Sequence, residues 1–312
     1  RFLWLNISKY TLILAQKPLF VMRITLKCSI INVIYALGIR YSSTVLIYYM
    51  DISIIILNYK SKGFALNCIK SIKEADFGSL KYEIIVVDNN SEDGIGEILA
   101  WQYPKIKYIE NKKNLGMGAG NNVGIKKTLA KYIVNMNPDT ICFKDTFIKL
   151  YDFMEENKEV GIVGPKQFYP DKTVQDSCFR WPSLLTPIYR RTPLGRFKFA
   201  KKNVAKYLME DFDHRSVKEV DWLLGSFLFS RAEALKEVGL FDERYFMYFE
   251  DTDFCQRFWK KNWKILYYPE AQIIHNHLRQ SAEDPWYKFL WNKTARYHIA
   301  SWLKYLLKWG IK

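Results

Sequence analysis

Cysteine is scarce and scattered in this chain of 312 residues. Long stretches of sequence separate the five cysteines, and no two of them form a Cys-x-x-Cys pair. Their odd number and wide spacing argue against a disulfide framework and against a zinc site. We therefore expect them to be small core residues of a protein from a reducing compartment.

Acidic residues are absent from the first fifty positions, and Asp51 is the first carboxylate. Residues 28–50 are apolar enough to suggest a membrane segment, but Arg40 interrupts them, and a spanning helix rarely tolerates a central arginine. No small-residue cleavage site follows a clean apolar core, which argues against a signal peptide. Residues 1–50 are predicted to be an N-terminal extension, either translated upstream sequence with Met50 as the start or a weak anchor. We favour the first.

Acids are also outnumbered in the chain as a whole. The 47 lysines and arginines exceed the 32 aspartates and glutamates, for a formal charge of +15. Such an excess indicates a polyanionic partner: nucleic acid, an anionic membrane surface or a phosphorylated substrate. No nucleic-acid-binding module is recognisable, so nucleic acid is not predicted as a partner.

A dinucleotide fingerprint is missing as well. From residue 51 onward, apolar runs of strand length alternate with helical patterns, which is typical of an α/β fold with a parallel sheet flanked by helices. The first strand is followed by "LNYKSKG" rather than G-x-G-x-x-G, which argues against a nicotinamide-type site. Ligands of such sheets bind beyond the carboxyl ends of the strands, where the sequence has Asn58, Asp88 and Asp139.

The second half of the chain is less regular. Residues 165–220 contain several prolines and a strongly basic stretch. Beyond them, residues 222–230 predict one strand, and residues 263–277 predict two short strands broken at Pro269. No internal repeat is present.

The C-terminal residues predict a basic amphipathic helix, because residues 285–312 are aromatic, basic and nearly free of acids. Apolar side chains can share one helical side: Trp302, Leu303, Leu306, Leu307 and Trp309. Such a helix suits a surface of anionic lipid headgroups, although packing on the protein's own core would explain the same apolar side. We favour membrane contact, and so a cytoplasmic protein held peripherally on the inner face of the cell membrane.

Two polar motifs follow the early strands. Asp139 in "NMNPDT" either caps a turn or binds a hard divalent cation whose coordination a substrate's diphosphate completes. The segment "NLGMGAGNN" (114–122) either makes tight turns at a helix start or brings backbone N–H groups close to a sugar or phosphate. Each motif taken alone leaves both alternatives open.

A third motif, "YFMYFEDTDFCQR" (245–257), places three acids directly after a run of aromatic residues. Acids suit the first turn of a helix because they complement its dipole. That explanation leaves the aromatic residues unaccounted for. A carboxylate held against apolar walls is partly desolvated, which raises its basicity, as a general base requires.

Seven segments in order resemble those of a family 2 glycosyltransferase of the GT-A fold, in the rhamnosyltransferase-like branch. They are "ISIIILNYKS", "IIVVDNNSEDG", "NLGMGAGNNVGI", "NPDT", "VGPKQFYPDKTVQDS", "LLGSFLFSRAEALKEVGLFDERYFMYFEDTDFCQR" and "YYPEAQIIHNH". The resemblance runs from about residue 51 to 280. It implies a GT-A domain over residues 51–280, with a mainly parallel sheet. The basic aromatic helix predicted from its own residues would follow over residues 281–312.

The resemblance also implies roles for individual residues. Asp251 would be the catalytic base, and Asp139 with His275 would hold a divalent cation, Mg²⁺ or Mn²⁺. Residues implied in binding the nucleotide-sugar donor are Asn58, Asp88, Asn89, Asn122, Gly225 and Ser226. Two positions depart from the family's pattern, since Asn89 and Asn137 stand where many relatives have acids.

The implied activity is inverting transfer of a sugar from a nucleotide-diphosphate sugar to a glycan or lipid-linked acceptor, in the synthesis of cell-surface polysaccharide. The donor would be a dTDP-rhamnose-like or UDP-sugar. A non-catalytic glycan- or membrane-binding relative on the same fold is the alternative, and the joint presence of Asp88, Asp139 and Asp251 argues against it.

Overall fold

Runs of β-branched residues form the central strands, and both of their faces are buried. In strand β3 (Met50–Asn58), Ile52, Ile54 and Ile56 pack into one apolar cluster, whereas Ile55 and Leu57 pack into a second. Successive side chains of a strand point to opposite faces, so a strand covered on both sides is apolar at every position. Burying each such isoleucine contributes about 1.5–3 kcal/mol.

The computed structural model describes residues 3–7, 10–14, 50–276 and 292–310. The strands are β1 (Leu3–Ile7), β2 (Tyr10–Leu14), β3, β4 (Tyr82–Asp88), β5 (Lys107–Glu110), β6 (Ala130–Met136), β7 (Thr140–Cys142), β8 (Val160–Phe168), β9 (Val174–Gln175), β10 (Cys178–Phe179), β11 (Lys218–Glu219), β12 (Trp222–Leu223), β13 (Phe227–Arg231) and β14 (Lys264–His275). The helices are α1 (Lys62–Glu74), α2 (Ile95–Gln102), α3 (Met117–Ile125), α4 (Thr146–Glu156), α5 (Thr186–Arg191), α6 (Lys198–Leu208), α7 (Ala232–Val238), α8 (Glu250–Lys260) and α9 (Lys293–Trp309), with a 3₁₀ turn at Pro193–Arg196.

The chain divides into two compact units. In the first, residues 1–47, strands β1 and β2 form an antiparallel hairpin. The predicted anchor over residues 28–50 lies almost wholly outside the described residues. Within the described ranges, no helix combines the length and the apolar character needed to cross a membrane.

The second unit, residues 48–312, contains a ten-stranded sheet with helices on both faces. Its main order is β11-β14-β8-β13-β6-β3-β4-β5, with β7 beside β14 and β9 beside β8. The run β6-β3-β4-β5 is parallel, as predicted. Strand β14 is also parallel to β8, whereas β13 is antiparallel to both β6 and β8, so the sheet is mixed.

Two strand predictions were wrong. Residues 222–230 form two strands, β12 and β13, because the chain turns at Leu224–Ser226 between them. Residues 264–275 form one continuous strand, although Pro269 lies within it. The pairing of β14 with β8 shifts register between Tyr268 and Gln272, and this irregularity accommodates a residue that has no N–H to donate.

The cysteine prediction holds for the four described cysteines, Cys68, Cys142, Cys178 and Cys255, which are buried and unbridged. Cys28 lies outside the described residues.

Candidate active site

One edge of the sheet collects the polar residues that the sequence singles out. The parallel strands β4, β3 and β6 end there, at Asp88, Asn58 and Met136, and Met136 leads directly into Asn137 and Asp139. Antiparallel strand β13 begins at the same edge, since Phe227 pairs with Met136. Gly225 and Ser226, just before β13, therefore lie next to the end of β6. The strand pattern alone did not predict this neighbourhood, because it depends on the direction of β13, whereas the family resemblance implied it.

Asn58 and Asp88 form one buried cluster. The Asn58 Nδ2 donates to Asp88 Oδ1 over 2.7 Å, and the backbone N–H of Ser91 donates to Asp88 Oδ2 over 2.8 Å. These bonds fix the carboxylate at the start of the loop over residues 89–94. The predicted pair thus comes together, and whether it contacts a nucleotide stays a prediction.

Asn89 and Asn122 bind other parts of the protein. Asn89 donates to the carbonyl of Gly116 over 3.0 Å, and Asn122 both donates to the carbonyl and accepts from the N–H of Phe241. Both amides are buried. Their observed contacts hold the glycine-rich segment and residue 241 in place, so their roles in donor binding remain predictions.

The glycine-rich segment packs tightly against the acidic motif. Gly116 has a φ of +85°, and a Cβ there would lie 2.2 Å from the backbone oxygen of Phe246. The N–H of Met117 donates to that same oxygen over 2.7 Å. Of the two alternatives for this segment, the observed contacts fit tight turns and close packing.

Asp251 lies in the first turn of α8 and is buried. Its Oδ2 accepts the backbone N–H of Gly225 over 2.9 Å, and its Oδ1 accepts the N–H of Thr252 over 2.7 Å. Burial raises the pKa of this carboxyl above its ordinary value. Its hydrogen-bond donors in the described part of the chain are uncharged, so Asp251 is oriented without being neutralised by an ion pair.

Asp253, two residues further on, has different surroundings. Its carboxylate is fully buried and contacts Arg257 Nε at 2.9 Å, Lys308 Nζ at 2.6 Å and the indole N–H of Trp309 at 2.7 Å. The Asp253 carboxylate is thus paired with two cations and an indole N–H, and these contacts hold the C-terminal helix in place.

Glu250 is the third acid of the motif. Its Oε2 is buried and has no hydrogen-bond partner among the described residues. Burial, followed by the charge of neighbouring Asp251, raises the pKa of Glu250 well above its ordinary value. Glu250 and Asp251 thus form a pair of adjacent carboxyl groups in which desolvation and mutual repulsion disfavour double ionisation.

The aromatic residues before the acids form the wall that these groups share. Tyr248 and Phe249 both have a positive φ, 68° and 63°, an uncommon conformation for bulky residues and one that clusters at functional sites. Their rings pack on His298 of α9, at centroid distances of 4.8 and 5.3 Å. The aromatic run therefore packs against the C-terminal helix. Its two residues of positive φ also turn the chain, so that Glu250 and Asp251 face a cavity.

That cavity has a volume of about 430 Å³. Its lining includes Glu250, Asp251, Asp176, Arg190 and His298. Burial, assisted by the positive charges of Arg191 and Arg190, lowers the pKa of His298 to about 3, so this imidazole is neutral at physiological pH. The sequence did not predict that the arginines and the histidine line this cavity, because Arg190 and His298 are far apart in the chain and meet only when it folds.

Asp139 and His275, the predicted metal ligands, face each other across the sheet edge. Their Oδ1 and Nε2 atoms are 3.4 Å apart, and Thr140 pairs with His275 in the sheet. Gln175 lies 2.8 Å from His275 through Oε1 and Nδ1, a contact that orients the ring. The Gln175 Nε2 is buried and has no partner among the described residues. A carboxylate, an imidazole and a spare N–H donor suit a divalent cation that carries a diphosphate.

Within the described residues, no group of three or more His, Cys, Asp or Glu side chains could hold a metal by itself. A cation here would therefore need further oxygen ligands from water or from a substrate, as Mg²⁺ commonly has in phosphate-binding sites.

Two sets of contacts link the predicted metal ligands to Asp251. The N–H of Asn137 donates to the carbonyl of Ser226 over 2.8 Å, while Gly225 binds Asp251. Gln175 contacts His275 and also lines the cavity that contains Asp251. Asp139 and His275 are thus linked to Asp251 through Gln175 and through the segment Gly225–Ser226, and Asp251 is the one of the three that lines the cavity.

The chain matches two family models that overlap. The model described as glycosyl transferase family 2 covers residues 53–210, and the one described as glycosyl transferase family group 2 covers residues 132–310. Together they span the sheet and the cavity.

Curated relatives include two rhamnosyltransferases. The N-acetylglucosaminyl-diphospho-decaprenol L-rhamnosyltransferase of Mycobacterium tuberculosis is 30% identical over 213 residues, which are 65% of this chain and 69% of that protein. Rhamnosyltransferase WbbL of Escherichia coli is 27% identical over 239 residues, covering 73% of this chain and 83% of that protein.

Solved structures agree on the fold. A mannosyltransferase from Pyrobaculum calidifontis, in complex with GDP-Man and Mn²⁺, superposes with a TM-score of 0.54 at 15% identity, over 89% of this chain and 70% of that one. GalNAc-T7, with UDP, GalNAc and Mn²⁺, gives a TM-score of 0.55 at 14% identity, over 75% of this chain but only 44% of that one. These likenesses confirm the predicted GT-A architecture. With the family models and the rhamnosyltransferase relatives, they establish that the chain is a glycosyltransferase that belongs to glycosyl transferase family 2, in its rhamnosyltransferase-like branch.

Proposed function

We propose that the protein is an inverting, metal-dependent glycosyltransferase in which Asp251 is the catalytic base. The observation that carries this proposal is the contrast between two acids of one helix. Asp251 is buried on the wall of a cavity and is held by uncharged donors, whereas Asp253 is engaged by Arg257 and Lys308. A general base must accept a proton, so it must not be neutralised by a fixed cation.

In the proposed reaction, Asp251 takes the proton from an acceptor hydroxyl in the cavity. The hydroxyl oxygen then forms a bond to the anomeric carbon of the donor sugar, while the bond from that carbon to the diphosphate breaks. Attack from the side opposite the leaving group inverts the configuration at this carbon. The N–H of Gly225 keeps the Asp251 carboxylate aimed throughout.

Asp139 and His275 are the proposed ligands of a divalent cation, Mg²⁺ or Mn²⁺. A cation bound there would neutralise charge on the departing nucleoside diphosphate. Gln175 orients His275 through its Oε1 and can donate its remaining N–H to a diphosphate oxygen. Asn58 and Asp88, beyond the ends of β3 and β4, are proposed to border the nucleoside.

The proposed donor is a dTDP-rhamnose-like or UDP-sugar, and the proposed acceptor is a glycan or lipid-linked sugar of cell-surface polysaccharide synthesis. The two rhamnosyltransferase relatives support the donor class, and the name of the mycobacterial relative includes a diphospho-decaprenol acceptor. Arg190 and Arg191 on the cavity wall suit such a diphosphate-bearing acceptor. With a lipid-linked acceptor, the enzyme would act at an anionic membrane surface, bound peripherally on the cytoplasmic side.

A screen of nucleotide sugars tests this proposal. Purified protein is incubated with dTDP-, UDP- and GDP-sugars, with and without Mn²⁺ or Mg²⁺, and with a short-chain N-acetylglucosaminyl-diphospho-lipid as acceptor. We expect metal-dependent transfer from one donor class, with inversion at the anomeric carbon seen by NMR of the product. The Asp251→Asn variant is the matched control. Donor binding by both proteins, with no transfer to any acceptor by either of them, would favour the non-catalytic alternative.

A further inference from the structure

The helical segment that carries the cavity arginines has no acidic residue from position 177 to position 209. The same 33 positions contain eight lysines and arginines, so this short stretch carries a net charge of +8, against +15 for the whole chain. It includes strand β10, α5, the 3₁₀ turn and α6. Because no acid interrupts it, nothing within the stretch neutralises its field.

Large apolar side chains project from the same segment into solvent. Leu194, Phe197 and Phe199 are 47%, 55% and 62% exposed. The rings of Phe197 and Phe199 stack at a centroid distance of 5.7 Å, and Tyr189 packs edge-on against Phe199 at 5.8 Å. A single exposed phenylalanine needs no explanation, but a stacked cluster beside an exposed leucine is a contiguous apolar patch of the kind that marks an interaction site.

Exposed cations surround this patch. Arg196, Lys198, Lys201 and Lys202 are exposed and lie within six residues of the two phenylalanines. We call this set, together with Leu194, Phe197 and Phe199, the basic aromatic surface. Aromatic and aliphatic side chains ringed by lysine and arginine are the composition expected of an element that lies in the interface of an anionic bilayer.

The opposite side of this segment faces the cavity. Arg190, Val204, Tyr207 and Leu208 line the space that contains Asp251, and the Arg190 guanidinium stacks over the ring of Tyr207 at 5.3 Å. The wall of the proposed acceptor site and the basic aromatic surface are thus two sides of the same helices. A bilayer in contact with the basic aromatic surface would therefore bring membrane-embedded molecules close to the cavity.

The C-terminal helix, which the sequence favoured as the membrane contact, is less suited to that role. Ser301 and Tyr305 of α9 are buried against the protein, Lys304 donates to the carbonyl of Arg244, and Lys308 pairs with Asp242 and Asp253. Its exposed leucines, Leu303 and Leu307, therefore have flanking lysines that are already engaged.

We propose that the basic aromatic surface docks the protein on a bilayer containing anionic lipid. Phe197, Phe199 and Leu194 enter the interface, while the surrounding lysines and arginine contact headgroup phosphates. This assignment rests on the proposed function, because a lipid-linked acceptor is what the docked orientation would deliver to Asp251.

Vesicle flotation of the full chain tests the docking. The vesicles are phosphatidylcholine alone, or phosphatidylcholine mixed with phosphatidylglycerol, at low and high salt. We expect binding to the mixed vesicles that weakens at high salt and falls by roughly tenfold or more in two variants, Phe197→Ser/Phe199→Ser and Lys198→Glu/Lys201→Glu/Lys202→Glu. The matched control, Leu303→Ser/Leu307→Ser, removes exposed leucines from α9 and should bind as the unchanged protein does.

Thermal melts confirm that each variant is folded, and transfer assays separate docking from catalysis. Both docking variants should transfer sugar to a soluble short-chain acceptor at the unchanged rate, yet lose activity on an acceptor embedded in vesicles. Equal flotation of the docking variants and the unchanged protein would overturn the proposal, as would loss of binding in the leucine control alone. Size-exclusion chromatography showing that the two phenylalanines instead hold two copies together would also overturn it. Vesicle binding without any sugar transfer would refute the proposed function and leave the docking surface standing.

Discussion

Lys308 of the C-terminal helix lies 2.6 Å from Asp253, measured from Nζ to Oδ1, and so closes an ion pair across 55 residues of chain. This contact separates the roles of two acids that stand two positions apart in sequence. Asp253 fastens α9 to α8, while Asp251 is left to the cavity.

Exchanging Asp251 or Asp253 for asparagine should therefore affect different properties, catalysis in the first case and stability in the second. Asp251→Asn keeps the size and the Gly225 contact but cannot accept a proton, so donor binding should survive while kcat falls by roughly a hundredfold or more. Asp253→Asn leaves Arg257 and Lys308 with an uncharged partner and should lower the free energy of unfolding by about 3 kcal/mol. Steady-state kinetics and urea denaturation measure the two effects. A stable, inactive Asp253→Asn variant beside an active Asp251→Asn variant would reverse the assignment.

Metal dependence should act through Asp139 and His275. EDTA, Asp139→Ala and His275→Ala should each abolish transfer, and Gln175→Leu should weaken metal binding by roughly 10- to 100-fold because the ring of His275 loses its orienting partner. Calorimetric titration of Mn²⁺ in the presence of a nucleoside diphosphate gives a readout independent of activity. Asp152→Ala, at an exposed position of α4, is the control. Undiminished Mn²⁺ affinity in the Asp139 variant would refute the site.

Stability should depend on pH through Glu250. The pKa of this carboxyl is raised in the folded protein by burial and by Asp251, so the folded state binds a proton more tightly than the unfolded state does. The resulting stability is fully present below the unfolded pKa of about 4.5 and is lost as pH rises through the higher folded pKa. The loss amounts to about 1.4 kcal/mol for each pH unit that separates the folded pKa from the unfolded pKa.

The Glu250→Gln variant should therefore lose less stability than the unchanged protein between pH 5 and pH 8. Urea denaturation at the two pH values measures the difference, and Glu92→Gln, at a solvent-exposed position, should behave as the unchanged protein does. Parallel curves for the Glu250 variant and the unchanged protein would show that the carboxyl is not desolvated in solution.

Two glycines should respond in opposite directions to alanine. At Gly116, φ is positive and an added Cβ would meet the backbone oxygen of Phe246. Gly116→Ala should therefore destabilise the fold by about 3 kcal/mol or more and distort the chain that leads from Phe246 to Glu250. At Gly63, in the first turn of α1, nothing lies within 4 Å of an added Cβ. Gly63→Ala should stabilise the protein by about 0.5–1 kcal/mol. Thermal denaturation of the pair tests this, and equal melting temperatures would contradict it.

Local sequence by itself determined the parallel part of the sheet and the residues at its edge. Strand β4 occupies Tyr82–Asp88, as predicted, because a continuous run of Ile and Val between polar residues has few other ways to be buried. Since parallel neighbours end at one edge, the strand pattern predicts that Asn58, Asp88 and Asp139 lie along a common edge of the sheet, as they do. The seven motifs were also sufficient to identify the family.

Tertiary structure alone decided which acid faces the cavity, how the later strands run and where the C-terminal helix lies. Asp251 and Asp253 have the same side chain but different partners. Lys308 and Trp309 reach Asp253 from a distant helix, whereas Asp251 accepts the N–H of Gly225 and lines the cavity. The direction of β13 and the continuity of β14 through Pro269 depend on pairing with strands far away in sequence. The apolar side of α9 would suit a bilayer or a protein core equally well, since the hydrophobic effect has no direction. Only the contacts of Ser301, Tyr305 and Lys308 show that this helix is packed on the enzyme. The stacked phenylalanines of the acid-free segment, by contrast, are exposed beside the cavity.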